Sequence, residues 1–329
     1  MKKIIAIILT LVLALSLFSG CKKNEKPEVI KIRIGYMAGP TGMGMAKFIS
    51  DNGGIEGNEK YVFTKYADTA AAKYDLAAGN IDIICLPTNE AAEYHATVDD
   101  TAKILAINCL NSLYVMTDSS LAAPTLLDLE GHTVYTCKNG TPKSIIEHLI
   151  KEAKIDVKVS CEFEGKEIIS PKDLSALVTS GKISVAVMPE PLVTSSLLEI
   201  KKNDDPTIDF SVDMNLGKEW AKFESTPIAM GCILADGDFA RDRAEELDAF
   251  LSEYKASVEY IGNPANIDSA ANYVVETGVM GAAPAAKMAL KNLGNAISYI
   301  DGAEMKEVLV AFYNITGITL PSDSFYYGK

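Results

Sequence analysis

The stretch Lys31–Ile49, KIRIGYMAGPTGMGMAKFI, decides how the chain is read. The strand-forming run Ile32, Arg33, Ile34 breaks at Gly35, a glycine-punctuated turn follows, and a helix-forming segment starts at Met43. Strand, tight loop and helix start in that order leave the first backbone N–H groups of the helix without intrahelical partners. The helix dipole adds partial positive charge at the same spot, so small polar or anionic ligands are readily held there.

The pattern recurs along the chain. From Lys31 to Leu234 short apolar runs alternate with amphipathic segments, which predicts an α/β chain with largely parallel sheets. Ala70–Ala78 reads as a helix stopped by Gly79, and Ile81–Leu86 as a buried strand ending at Pro87, with Thr88 as the cap of the next segment. Ala102–Leu110 is a strand that runs through Asn111 and Ser112 into a second apolar run, Leu113–Met116, so the chain changes sheets there without a helix. His132–Thr136 is a strand, Cys137–Gly140 a turn, and Thr141 stands as N-cap before Pro142 and the amphipathic stretch Ser144–Ala153. Ser170–Pro171 opens a helix closed by Gly181, and the strand Ile183–Met188 ends in Pro189–Glu190–Pro191. Alternation at Ile208, Phe210, Val212 and Met214 marks a half-exposed strand, and Ile228–Leu234 an apolar one. All that follows reads as helix: Phe239–Ile261, Ile267–Thr277, Ala283–Leu293 and Ala303–Thr316. A doubly wound sheet offers its ligand crevice at the carboxyl ends of its strands. Four loops of small and polar residues fall at such ends: Gly39–Gly42, Pro87–Asn89, Lys138–Thr141 and Pro189–Pro191.

Composition bounds the function. The chain has 329 residues, 48% hydrophobic and 23% charged, which suits a globular protein with more than one core-bearing unit. A formal charge of −13 makes nucleic acid an improbable partner, because that affinity rests on clustered cations. Lys2 and Lys3 precede an apolar run of 15 residues, Ile4–Phe18, too short to span a bilayer and shaped as a secretory signal. Leu17–Cys21, LFSGC, resembles a bacterial lipobox, which implies cleavage before Cys21 and a lipid on its thiol. Residues 1–20 are then signal peptide and 21–28 a polar tether, and losing Lys2 and Lys3 moves the charge from −13 to −15. The five other cysteines, Cys85, Cys109, Cys137, Cys161 and Cys232, form no C-x-x-C and cannot all pair, so buried free thiols are expected, with one bridge left open.

Signatures of catalysis are missing. The three histidines, His95, His132 and His148, make no metal-binding spacing, and no nucleophile elbow occurs. Gly39 and Gly44 have the outer spacing of a P-loop, but Met45 stands where its lysine belongs. Gly42–Met43–Gly44 fails as a dinucleotide fingerprint, because Lys47 occupies the third glycine position. No cofactor and no metal is expected, and the chain is read as a binding protein, not an enzyme.

The lipobox, GPTGMGMAKF, the LPTNEAA after a buried strand, the KNGTP turn opening a helix and the MPEP after another strand together resemble the bacterial solute-binding proteins of the nitrate/sulfonate/taurine and thiamine-precursor group, the extracytoplasmic receptors of ABC importers. The resemblance covers the mature chain. It implies a two-lobed type II periplasmic binding protein fold, each lobe a largely parallel sheet flanked by helices, with the ligand cleft between lobes and crossings near Asn108–Ser112 and Thr226–Gly231. Lobe 1 is then 29–110 with 230–329, and lobe 2 is 111–229. Carried over by position, the ligand loops fall on Gly39, Pro40, Thr41, Gly42 and Met43 of lobe 1, with Thr88, Asn89 and Asn111 nearby, and on Lys138, Asn139, Gly140, Thr141 and Glu190 of lobe 2.

The resemblance further implies a small-molecule ligand (a sulfonate, a carboxylate, or a heteroaromatic or amine), a permease and its ATPase as partners, attachment to the cell membrane through the lipid, and a monomer. Lys138 and two helix N-termini lean toward an anion, whereas Glu190 and the nearby Tyr36 and Tyr66 lean toward a cationic or aromatic amine. The same residues also read without a ligand: Gly39 and Gly42 as turn glycines, Thr141 and Pro142 as a helix start, Met43 and Met45 as core, Lys138 as a solvated lysine, Glu190 as an interlobe contact. Two other functions stay open, an enzyme on the same fold (pyrimidine-precursor or menaquinone-pathway type) and a ligand sensor for a membrane receptor.

Overall fold

The computed structural model describes residues 31–121 and 123–328. The signal segment 1–20, the lipobox Cys21 and the tether to residue 28 lie outside the described residues.

Strand β1 (Ile32–Met37) is buried almost throughout and runs straight through Gly35, where the sequence suggests a break. Its neighbours Tyr66 and Ile81 leave no room for a side chain at that position, so the glycine serves packing and not a turn. Helix α1 (Pro40–Asp51) starts three residues earlier than its apolar pattern suggests, with Pro40 at the first helical position, where its missing N–H costs nothing. Gly39 precedes it at φ 113°, a conformation that favours glycine. Gly42 permits close approach: a Cβ there would fall 1.9 Å from the carbonyl oxygen of Met37.

The chain continues through β2 (Tyr61–Tyr66), α2 (Thr69–Ala77), β3 (Ile83–Pro87), α3 (Thr88–Thr97) and β4 (Lys103–Leu110), then β5 (Leu113–Asp118) and β6 (Thr133–Tyr135). Next come α4 (Pro142–Ala153), β7 (Lys158–Ser160), a small hairpin β8 (Glu162–Phe163) and β9 (Lys166–Glu167), α5 (Pro171–Thr179), β10 (Val185–Pro189), α6 (Leu192–Asn203), β11 (Phe210–Asn215) and α7 (Leu216–Trp220). The last part holds β12 (Ala229–Ala235), α8 (Gly237–Asp242), α9 (Ala244–Gly262), α10 (Ile267–Glu276), α11 (Ala283–Leu293), β13 (Ile297–Ile300) and α12 (Gly302–Thr316).

Two sheets result, each flanked by helices. The first has six strands in the order β13-β4-β12-β3-β1-β2, and the second five, β11-β5-β10-β6-β7. In the first, β12 runs antiparallel to both β3 and β4, and β13 antiparallel to β4; the other four strands point one way. In the second, β5 alone is reversed, antiparallel to β10 and β11. The strands entered from the two crossings, β5 and β12, are thus both reversed, β5 alone in its sheet and β12 together with the edge strand β13.

The crossings are tied to each other. Asn111 follows β4 at φ 50°, its N–H donates to the Ile228 carbonyl at 3.0 Å, and its side-chain oxygen accepts from the Ile228 N–H at 3.0 Å. One apolar cluster includes Ile84 and Leu86 of the first sheet, Val115 and Val185 of the second, and the fully buried Trp220 and Phe312, whose rings lie 6.2 Å apart.

Two expectations about the tail are corrected. The stretch Phe239–Ile261 is not one helix: α8 and α9 are separated at Arg243, which sits at φ −130°. Nor is the tail all helix, since Ile297–Ile300 adds an edge strand to the first sheet. Four residues carry too little alternation to outweigh the helical segments on either side.

Candidate functional site

Helices α1, α3, α4 and α6 each start at the carboxyl end of a strand, at the four stretches singled out above, α3 following β3 directly with no loop between. The Met43 N–H donates to the Gly39 carbonyl at 2.9 Å, closing the first turn of α1 and leaving the Thr41 and Gly42 N–H groups at its open end. Thr41 rests its methyl beside Gly231 of β12, whose added Cβ would fall 2.2 Å from that methyl. Met43 is fully buried and belongs to the core, so only its backbone is near the loop surface.

Other expected contacts are spent inside the fold. Thr88 does not cap a helix; it is the first residue of α3, and its hydroxyl donates to the Ala229 carbonyl at 2.6 Å. Asn111 clamps the crossing, as described. Thr141 stands at the N-cap of α4 but makes no side-chain cap bond. Tyr36 donates to the Thr277 carbonyl at 3.0 Å, and Tyr66 to Asp75 at 2.6 Å, so neither ring offers its hydroxyl to a ligand.

Glu190 is 1% exposed. Its carboxylate accepts from the Thr194 N–H at 3.1 Å, the Thr194 hydroxyl at 2.9 Å and the Asn292 side-chain amide at 2.7 Å. The geometry follows the reading without a ligand: the carboxylate joins a loop of the second sheet to helix α11. Burial holds its pKa above the usual carboxylate value, and these hydrogen bonds oppose the shift only in part.

A cavity of ≈740 Å³ draws on both sheets' helices and loops. Asn89, Glu90 and Glu93 of α3 and Lys73 of α2 line one side, Lys138, Asn139 and Gly140 the other, with Ile318 and Thr319 after α12. Of the expected ligand residues it collects Asn89, Lys138, Asn139 and Gly140; Gly39–Met43, Thr88, Asn111, Thr141 and Glu190 are not in its lining. Gly140 lies at φ 88°, which lets the loop turn its backbone toward the cavity side before Pro142.

The cavity carries both signs of charge. Lys73 bridges Glu90 at 2.6 Å and Glu93 at 3.3 Å, and Glu90 also accepts from Thr69 at 3.0 Å. Burial works against the charge on Lys73, yet the two carboxylates outweigh it and hold its pKa above the ordinary value. Lys138 pairs with Glu167 of the hairpin, both about half exposed. Such a surface pair is worth about 0–1 kcal/mol, so Lys138 can change partners at little cost. Sequence reading missed Lys73, Glu90 and Glu93. The signal for the carboxylates was in reach, since both lie on the helix that carries Asn89, but their meeting with Lys73 is a tertiary fact.

The five cysteines among the described residues are free thiols, and four of them are buried. Burial pushes Cys85 and Cys109 up to about 12 and Cys137 to about 11, which leaves them as packing thiols and not nucleophiles. His95 bonds the Ala102 carbonyl and Ser322, and His148 bonds Glu224 at 2.7 Å. Among the described residues no group of three His, Cys, Asp or Glu is placed to hold a metal, and no helix is long and apolar enough to cross a membrane.

No protein-family model and no curated protein matches the sequence. Solved structures do match. An ABC transporter structure from Parabacteroides distasonis superposes with a TM-score of 0.69 at 17% identity, over 91% of this chain and 99% of that one. The chain has the fold of ABC-transporter binding proteins. The periplasmic aliphatic sulphonate binding protein SsuA of Escherichia coli gives a TM-score of 0.66 at 15% identity, covering 92% of each chain. The periplasmic nitrate-binding protein NrtA of Synechocystis PCC 6803 gives 0.61 at 13%, over 91% of this chain and 84% of that one.

Proposed function

We propose that this chain is the extracytoplasmic solute-binding subunit of an ABC importer, held at the membrane by a lipid on Cys21 and acting as a monomer. Its lobes are residues 29–110 with 230–329, and residues 111–229. They close over a small organic solute and deliver it to a permease and its ATPase, without catalysis. The observation that carries this reading is the cavity of ≈740 Å³ lined from both halves: a ligand that touches Asn89 on one side and Asn139 on the other gains its full contacts only when the lobes are together. That size suits a small molecule. Asn89, Lys138, Asn139 and Gly140 are the proposed direct contacts, and the Thr41 and Gly42 N–H groups at the start of α1 are donors for a ligand that reaches deeper. Sulfonate and nitrate appear in the names of structures with the same fold. The mixed charge of the cavity suits a polar solute with both donors and acceptors.

The test is thermal unfolding of the mature protein against a panel of sulfonates, carboxylates, amines and small heteroaromatics. A true ligand raises the midpoint saturably, by about 2.7 kcal/mol of stabilisation at 100 times its Kd, and is recovered unchanged. Conversion of a bound compound to product overturns the reading in favour of an enzyme on this fold.

A further inference from the structure

Away from the crossings, the hydrogen bonds that join the two halves among the described residues all end on one residue. Asn292 lies in the last turn of α11, in the half built on the first sheet. Its side-chain amide donates to Glu190 at 2.7 Å and to the Thr194 hydroxyl at 3.2 Å, and its backbone carbonyl accepts from the Tyr114 hydroxyl at 2.7 Å. Tyr114, Glu190 and Thr194 all belong to the half built on the second sheet, and all are buried. No ion pair among the described residues crosses between the halves.

Resting on the reading of two lobes that close, we propose that Asn292 is the latch of the closed arrangement, a positioning residue that sets how readily the lobes part without touching the solute. The physical reason lies in Glu190. It is a buried carboxylate with no cationic partner among the described residues, and two of its three donor contacts come from Thr194 in the helix that follows it. The third comes across the junction from Asn292. A buried charge left short of a donor is costly, whereas in separated lobes water replaces the lost bond. Removing the Asn292 amide therefore penalises the closed arrangement and leaves the open one nearly untouched. The carbonyl of Asn292 sits in the last turn of a helix, where it has no intrahelical donor, so the Tyr114 hydroxyl completes it at the same point.

Small-angle scattering of the protein without added solute tests the latch. Asn292→Asp sets a second carboxylate against Glu190, Asn292→Ala deletes the donor, and Tyr114→Phe removes only the hydroxyl. The expected result is a rise of roughly 1 Å in radius of gyration for Asn292→Asp, over about 19 Å for a compact chain of this size. Smaller rises in the same direction are expected for the other two, each variant still unfolding in one cooperative transition. Unchanged radii in the variants that fold overturn the proposal, including the case in which stability falls but the shape does not, which is the mark of a merely structural contact. If Asn292→Asp does not fold, Asn292→Ala and Tyr114→Phe decide by the same criterion. Because no solute is used, a failure here is separate from a failure of the ligand panel.

Discussion

Asn111 and Glu190, both expected at the ligand, are each engaged in hydrogen bonds within the fold, Asn111 with the backbone of Ile228 and Glu190 with Thr194 and Asn292. At Asn111 the left-handed φ of 50° and the two bonds to Ile228 ask for a short polar side chain, and Gly217 leaves space against its Cβ. Asn111→Ala is expected to cost about 1–2 kcal/mol for the backbone conformation and about 1 kcal/mol for the lost hydrogen bond. Asn111→Gly recovers the first part only; urea unfolding of the two variants checks the order. Glu190 predicts a pH effect. Burial raises its pKa from the usual 4.5, so the folded chain binds the proton more tightly than the unfolded chain, and its contribution to stability grows as pH falls through the raised value toward 4.5. Thermal midpoints measured from neutral pH down to 4.5 should show the parent gaining on Glu190→Gln. That Asn111 and Glu190 sit at strand ends was legible in the sequence. Their partners were not, because Ile228 and Asn292 lie more than a hundred residues away and no local pattern names them.

Among the elements, β1, its loop and α1 show where sequence reading works and where it slips. Strand, glycine loop and helix came in the expected order, and the loop does lie at a strand's carboxyl end. The boundaries slipped because the two glycines were read as breaks. Gly35 is a packing position inside the strand, and Gly42 is already helical, pressed on the Met37 carbonyl. Gly42→Ala should therefore destabilise by roughly 1–3 kcal/mol or more through overpacking, read as a lowered urea midpoint with the slope retained. Gly231→Ala acts on the same loop from β12, since its new methyl meets that of Thr41. The short edge strand β13 was missed for the opposite reason: nothing in ISYI competes with two long helical segments until β4 supplies the partner.

For the whole molecule, the alternation of apolar runs and amphipathic segments carried the fold class, and the change of sheet between Leu110 and Leu113 was legible from two strands with no helix between them. The site was legible only as a set of loops. Which loops face a common space depends on how the two sheets sit against each other through Trp220, Phe312 and their shared core, and that arrangement brings Asn89 to Lys138–Gly140 while turning Glu190 toward α11. The central claim is that one small molecule is held from both halves. Calorimetric titration of the solute retained in the panel, into the parent, Asn89→Ala and Asn139→Ala, tests it most directly. The account predicts that each variant binds about tenfold more weakly, the weight of one lost polar contact of about 1.4 kcal/mol. Full affinity in either variant would contradict it, because the solute would then be held by one half alone.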